Sequence, residues 1–258
     1  MGKAEARSAF IVQELTRHGA VTVEALAAQL AVDSSTIRRD LERLERQRIL
    51  RRVHGGAVYA DSLTYAHDLT FQGNMGKRVA EKTRIAAAAA SLIAPGDTIA
   101  LSPGSTTTFL ARAIRQQPIR PLTVVTNAVN IAVELNAIPE LTLVLTGGMQ
   151  LPDFFALVGP IAEQTLGDLY TNLAFVGMHG VSAEHGLTGP NQLEALTFRA
   201  TMRRSRRTIV LADSSKLGQV ALYRIAPIEA AQHLITDAPD DHPELRAIAE
   251  RGITIQSV

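Results

Sequence analysis

Residues 32–41, Val-Asp-Ser-Ser-Thr-Ile-Arg-Arg-Asp-Leu, constrain this chain more than any other stretch. Asp33 or Ser34 can cap a helix, and Ile37, Leu41 and Leu44 then recur at i, i+4 and i+7, the spacing of one apolar helix face. A helix this short and this basic off its apolar face must bury that face against neighbours. Residues 5–17 supply one neighbour, with Phe10, Ile11 and Leu15 on one side and His18-Gly19 as its stop. Thr22 can cap a second, carrying Leu26 and Leu30, and Ala31-Val32 makes the turn between them. Ile49-Leu50-Arg51 and Ala57-Val58-Tyr59 read as two short strands around His54-Gly55-Gly56. Three helices and a hairpin make a winged helix-turn-helix over residues 1–58.

The charge distribution agrees. Lys and Arg exceed Asp and Glu by three in residues 1–60, whereas the remainder carries a net −2. Between Ser34 and His54 seven Arg face three acids, a footprint for a polyanion. A recognition helix puts its N-terminal residues at base edges in the major groove, where Arg pairs with guanine and hydroxyls reach bases or phosphates. The residues expected to touch double-stranded DNA are therefore Ser34, Ser35, Thr36, Arg38, Arg39 and Arg43 on the helix, and Arg51, Arg52, His54 and Gly55 on the wing. For any one of them, capping or plain solvation is the alternative.

Residues 59–76 lose periodicity and read as a linker. Glu81-Lys82-Thr83-Arg84-Ile85 opens an Ala-rich helix that Pro95-Gly96 stops. Strand candidates Thr98–Leu101, Leu122–Thr126, Leu141–Thr146, Leu173–Met178, Thr208–Ala212, His233–Ile235 and Ile253–Gln256 then alternate with helical stretches. That alternation predicts an α/β domain with a mainly parallel sheet over residues 77–258. Ligands of such sheets sit at the carboxyl ends of strands. Gly104-Ser105-Thr106-Thr107 follows one strand and opens a helix, so it offers backbone amides, hydroxyls and a helix dipole to a phosphate. Thr126-Asn127 and Gly147-Gly148 end the next two strands, and Lys216 can add a cation. An ordinary strand-to-helix turn is the other reading of the first loop. Glu194 reads as a surface acid, with a sugar hydroxyl as its alternative partner, and His179 and His185 are candidates to line the same pocket.

With no Cys there is no disulfide, thiolate metal site or Cys nucleophile, and the His residues are scattered, so neither metal nor cofactor is expected. No dinucleotide fingerprint, Walker loop or nucleophile elbow is present. No apolar run reaches the ~18–20 residues that span a bilayer, and the N-terminus lacks a signal-peptide core, which fits a cytoplasmic protein.

The motifs in their order resemble the DeoR family of bacterial sugar-metabolism regulators. Arg7, Ile11, Leu15, Val32, Thr36-Ile37-Arg38-Arg39-Asp40-Leu41 and His54-Gly55-Gly56-Ala57 match its N-terminal signature. Phe71, Glu81-Lys82, Ile85-Ala86, Gly104-Ser105-Thr106-Thr107, Thr126-Asn127, Gly147-Gly148, Gly159 and Asp213-Ser214-Ser215-Lys216 match its sensor domain. Asp33 departs from the family's usual Ser and is not expected to contact phosphate. The resemblance implies a sensor fold similar to ribose-5-phosphate isomerase and the coenzyme A transferases. It also implies a homo-oligomeric (dimeric or tetrameric) repressor of carbohydrate genes, released from its operator by a phosphorylated sugar. The rival is a phosphosugar isomerase or transferase with an appended DNA-binding domain; the sequence offers no clear catalytic pair, so no enzyme is expected.

Overall fold

The structure, a computed structural model, describes residues 3–18, 20–46, 50–53, 55–59, 71–117 and 119–258. It divides into two units, Met1–Thr70 and Phe71–Val258.

In the first unit, α1 (Lys3–His18), α2 (Val23–Leu30) and α3 (Ser34–Arg46) pack around Ile11, Leu15, Val23, Leu26, Ile37, Leu41 and Leu44. The Thr22 hydroxyl accepts from the Ala25 amide (3.2 Å) and caps α2. Ala31, in the left-handed region (φ 51°), turns the chain into α3, where the Asp33 carbonyl accepts from the amides of Thr36 and Ile37. The hairpin β2 (Leu50–Val53) and β3 (Gly56–Tyr59) gains a third antiparallel strand, β1 (Ala20–Thr22), in the order β1-β3-β2. The sequence did not announce β1, because three residues between two helices carry no period. Gly56 is required by that pairing: a Cβ there would stand 2.1 Å from the Val21 carbonyl oxygen. The Gly55 carbonyl accepts from the Val23 amide (2.9 Å), which ties the wing to the start of α2.

In the second unit, every expected parallel strand forms: β4 (Thr98–Leu101), β5 (Leu122–Thr126), β6 (Leu141–Leu145), β9 (Thr171–Gly177), β12 (Ser205–Leu211), β14 (His233–Thr236) and β15 (Thr254–Ser257). They lie parallel in the order β15-β14-β12-β9-β4-β5-β6. Side chains alternate between two cores, as the pleat requires. Ile99, Leu101, Leu173, Phe175, Ile209 and Leu211 meet α5 (Val79–Ala90), α6 (Ser105–Gln116) and α7 (Val129–Leu135) on one face. Ala100, Ala174, Val176, Val210 and Leu234 meet α9 (Gln192–Arg203) and α10 (Pro243–Glu250) on the other. A hairpin, β7 (Met149–Leu151) with β8 (Ala156–Val158), precedes α8 (Pro160–Asp168). A small antiparallel sheet of β10 (Gly180–Ser182), β11 (Gly186–Gly189) and β13 (Tyr223–Ala226) adds to the second face. The sequence announces none of these short strands, since three or four residues are too few to show a period of two.

The stretch 59–76 was expected to be linker. Its end, Phe71–Met75, is instead a short helix, α4, that groups with the second unit. The Phe71 ring packs against Phe155 with centroids 5.0 Å apart, and the Asn74 carbonyl accepts from Lys82 Nζ (2.8 Å).

Candidate functional site

On α3 the apolar face points inward and leaves Ser35, Arg38 and Arg39 exposed, with Ser34 and Thr36 half-buried. Neither Arg38 nor Arg39 has a charge partner among the described residues. Arg43 differs. Its guanidinium donates to Ser8 Oγ (2.6 Å) and Asp40 Oδ1 (3.0 Å). Arg7 donates to the other oxygen of the buried Asp40. Arg43 therefore helps pin α3 to α1. Arg52 bonds Glu42 Oε1 (2.8 Å), and its amide donates to Glu45 Oε1 (2.8 Å), which holds the wing to α3. Gly55 is exposed with φ 81°. Of Arg51 only the strand position is described, and His54 lies outside the described residues.

In the second unit, β5 and β6 step away from β4 on one side, while β9 returns to its other side and β12, β14 and β15 continue outward. A reversal of this kind, between β4 and β9, is where open α/β sheets bind ligands, in the crevice outside the carboxyl ends of the strands. Ser102 joins the two strand ends: its amide donates to the Phe175 carbonyl (3.1 Å), and its Oγ accepts from the Gly177 amide (3.1 Å). Gly104 follows with φ 148°, and a Cβ there would lie 3.2 Å from Thr107 Oγ1. No side chain caps α6, so its first amides meet the crevice with the positive end of the helix. Ser105 is half-buried at this end.

The remaining expected residues divide. Thr107 is fully buried and donates to the Gly104 carbonyl (2.9 Å), as does Thr108 (2.8 Å). Thr106 is buried. Thr126 donates to the Leu101 carbonyl (2.7 Å) and accepts from the Ala128 amide (3.0 Å). Asn127 donates to the Leu157 carbonyl (2.9 Å). These polar groups are spent inside the fold, holding strand ends and the β8 segment in place. Gly147 and Gly148 end β6; at Gly148 a Cβ would stand 2.7 Å from the Val158 carbonyl oxygen. Four strand spacings separate β6 from β12, roughly 19 Å at ~4.8 Å each. A small ligand held by Lys216 is therefore out of reach of the Gly147-Gly148 backbone.

A group of charged residues completes the crevice on the β12 side. Lys82 is 2% exposed, and its Nζ donates to the carbonyls of Asn74 and Lys77. Burial pushes its ammonium below the usual lysine range, with Asp213 opposing that shift and Lys216 adding to it. Lys216 Nζ donates to Asn74 Oδ1 (3.3 Å). Arg78 donates to Ser214 Oγ (2.8 Å) and faces Asp213 (3.6 Å) and Asp237 (3.5 Å). Lys82, Lys216 and Arg78 thus gather around Asp213 and Asp237, and Glu81 also acts on Lys82. Sequence reading missed Arg78, Asn74 and Asp237 and gave Lys82 no role. One signal for Lys82 was available: it shares i, i+3, i+4 and i+7 spacing with Ile85, Ala86 and Ala89, which places it on the buried face of α5.

Two other expectations are corrected. Glu194 is not a surface acid; it is 4% exposed, and burial pushes its carboxyl up to about 8. It sits in the first turn of α9, where the Asn191 side chain caps the amides of Leu193 and Glu194 and leaves its own chain turned inward. His185 is exposed on the β10–β11 turn beside Glu184, whereas His179 stacks edge-on against Phe154 (6.2 Å), so the two do not share a pocket.

The sequence matches two family models. Residues 7–63 match the DeoR-like helix-turn-helix domain and residues 77–238 the DeoR C terminal sensor domain. The chain belongs to the DeoR family. It is 32% identical over 248 residues to an uncharacterized HTH-type transcriptional regulator, YulB, of Bacillus subtilis, covering 96% of this chain and 94% of that one. It is 26% identical to the glycerol-3-phosphate regulon repressor of Escherichia coli, covering 95% and 96%. Among solved structures, ribose 5 phosphate isomerase A from Neisseria gonorrhoeae aligns at 15% identity with a TM-score of 0.37, covering 55% of this chain and 53% of that one. This DeoR-family chain is accordingly a DNA-binding transcriptional regulator with a helix-turn-helix and a sensor domain. Among the described residues no helix is long and apolar enough to cross a membrane.

Proposed function

We propose that this regulator represses genes of carbohydrate metabolism and leaves its operator when a phosphorylated sugar occupies the crevice between β4, β9 and β12. The observation that carries this reading is the gathering of Lys82, Lys216 and Arg78 on the side of the sheet where α6 starts uncapped. Cations and free helix amides together suit the oxygens of a phosphate. The relative named for a glycerol-3-phosphate regulon supports a phosphorylated effector.

The same cations suggest how occupancy is felt. Lys216 and Lys82 both hold Asn74, on the helix that follows the linker. A phosphate competing for Lys216 weakens that hold on α4, the first helix of the second unit. The effector must bind the two states unequally for this to switch anything. On DNA, Arg38 and Arg39 read bases, Ser34, Ser35 and Thr36 meet bases or phosphates, and the wing with Arg51, Arg52, His54 and Gly55 meets phosphates. The protein acts in the cytoplasm as a homo-oligomer on paired half-sites.

Thermal shift against a panel of sugar phosphates tests the pocket. A true effector at 100 times its dissociation constant stabilises by about 2.7 kcal/mol. Ser105→Ala and Lys216→Ala should each reduce the shift at fixed concentration, since a hydrogen bond to a charged group contributes ~1.5–3 kcal/mol. Undiminished shifts in both variants would place the ligand elsewhere, and turnover of the ligand would restore the enzyme reading.

A further inference from the structure

The amino ends of the central strands, opposite the effector crevice, carry a second cluster of cations. The segment Arg203-Arg204-Ser205-Arg206-Arg207 closes α9 and opens β12, and all four guanidinium-bearing residues are exposed. Three of them, Arg203, Arg204 and Arg206, line a cleft of about 370 Å³ together with Thr98, Tyr170, Thr171, Asn172 and Ser205, the first residues of β4, β9 and β12 or their immediate neighbours. No carboxylate lines this cleft. An adjoining cleft of about 320 Å³ shares Arg203 and Arg204, and Glu163 is the acid on its wall.

Each polar group has a definite duty. The hydroxyls of Thr171 and Ser205 bond each other (2.7 Å), and Ser205 Oγ donates on to the Thr201 carbonyl (2.8 Å), so neither has a hydrogen left for a ligand. Asn172 Oδ1 accepts from the Thr98 amide (2.7 Å), which leaves its –NH2 as the donor toward the cleft. Arg204 is preset: it donates to Tyr170 Oη (2.7 Å) and lies over that ring at 5.1 Å. Arg203 and Arg206 have no ion pair or hydrogen-bond partner for their guanidiniums among the described residues.

We infer that this cleft is a second anion site, for a small phosphate-bearing molecule of at least two negative charges, distinct from the effector crevice at the other end of the sheet. A concave wall of guanidiniums with one amide donor suits phosphate oxygens, which Arg engages bidentately. Its volume lies in the range of small-molecule pockets. Arg203, Arg204, Arg206 and Asn172 line the one cleft, so a compact anion seated there has all four as neighbours.

Calorimetry with pyrophosphate on the full-length protein tests this. Lys216→Ala weakens the effector crevice, so the pyrophosphate binding that persists in this variant reports the arginine cleft. R203Q/R206Q, which removes two guanidinium charges at exposed positions, should weaken binding at least about tenfold. An unchanged melting temperature without ligand shows that this variant remains folded. Three results would overturn the site: no measurable binding by wild type, equal affinity in R203Q/R206Q, or loss of binding in Lys216→Ala alone. A fourth is that pyrophosphate does not bind while R203Q/R206Q lowers operator affinity with a shallower salt dependence. In that case the arginines serve DNA phosphates.

Discussion

Glu194 and Asp40 illustrate two fates of a buried carboxylate. Asp40 takes Arg7 and Arg43 as partners and locks two helices together. Glu194 has no hydrogen bond to its carboxylate among the described residues, and burial alone raises it to about 8 from 4.5. Because the folded value lies above the unfolded one, the protonated acid fits the fold and the anion opposes it. The associated stability is fully present below pH 4.5 and is lost as pH rises through about 8. Glu194→Gln, the uncharged isostere, should flatten the fall in melting temperature across that window. The gain over wild type at its alkaline end should grow by about 1.4 kcal/mol per pH unit while the two values differ. Parallel pH profiles for the two proteins would mean that Glu194 is not held neutral.

Among the elements, α3 divides most cleanly between fold and function. Its buried stripe of Ile37, Leu41 and Leu44 fixes which side faces out, and Arg38 and Arg39 lie on that side. Arg38→Ala should cost about 1–3 kcal/mol of operator binding if its guanidinium meets a base edge. Arg52→Ala should cost less, because Glu42 already holds that side chain, and should lower affinity evenly across sequences. Gel-shift titrations of the two variants on operator and on unrelated DNA check both; wild-type affinity in Arg38→Ala would shift the reading surface off this helix end. The face of α3 was legible in the sequence because burial imposes a period of 3.6 on it, and the parallel strands, covered on both faces, stood out as short apolar runs between helical stretches. The expected site residues were less so. Thr107, Thr126 and Asn127 are the right residue types at strand ends, yet whether a hydroxyl or amide serves a ligand or a neighbouring carbonyl is decided by contacts distant in sequence. Arg78 and Asn74 were invisible for the same reason: they lie more than 130 residues from Ser214 and Lys216, which they contact. Short strands such as β1 and β10 carry too few residues to announce themselves.

As a whole, the molecule joins a DeoR-like helix-turn-helix domain to a sensor domain. One winged helix makes too few contacts for specific binding, and a second copy on a paired half-site supplies the remainder. Light scattering of the full-length protein at tens of micromolar should therefore give a dimer or a multiple of it; a monomer would contradict paired half-site binding. The central claim is that the phosphate crevice controls the hold on DNA, and an operator-release titration tests it most directly. Operator complexes of wild type and Lys216→Ala are titrated with the phosphosugar that gives the largest thermal shift. The account predicts equal operator affinity without effector and release of wild type at a concentration about tenfold or more below that needed by Lys216→Ala. Release of both proteins at the same concentration would contradict it.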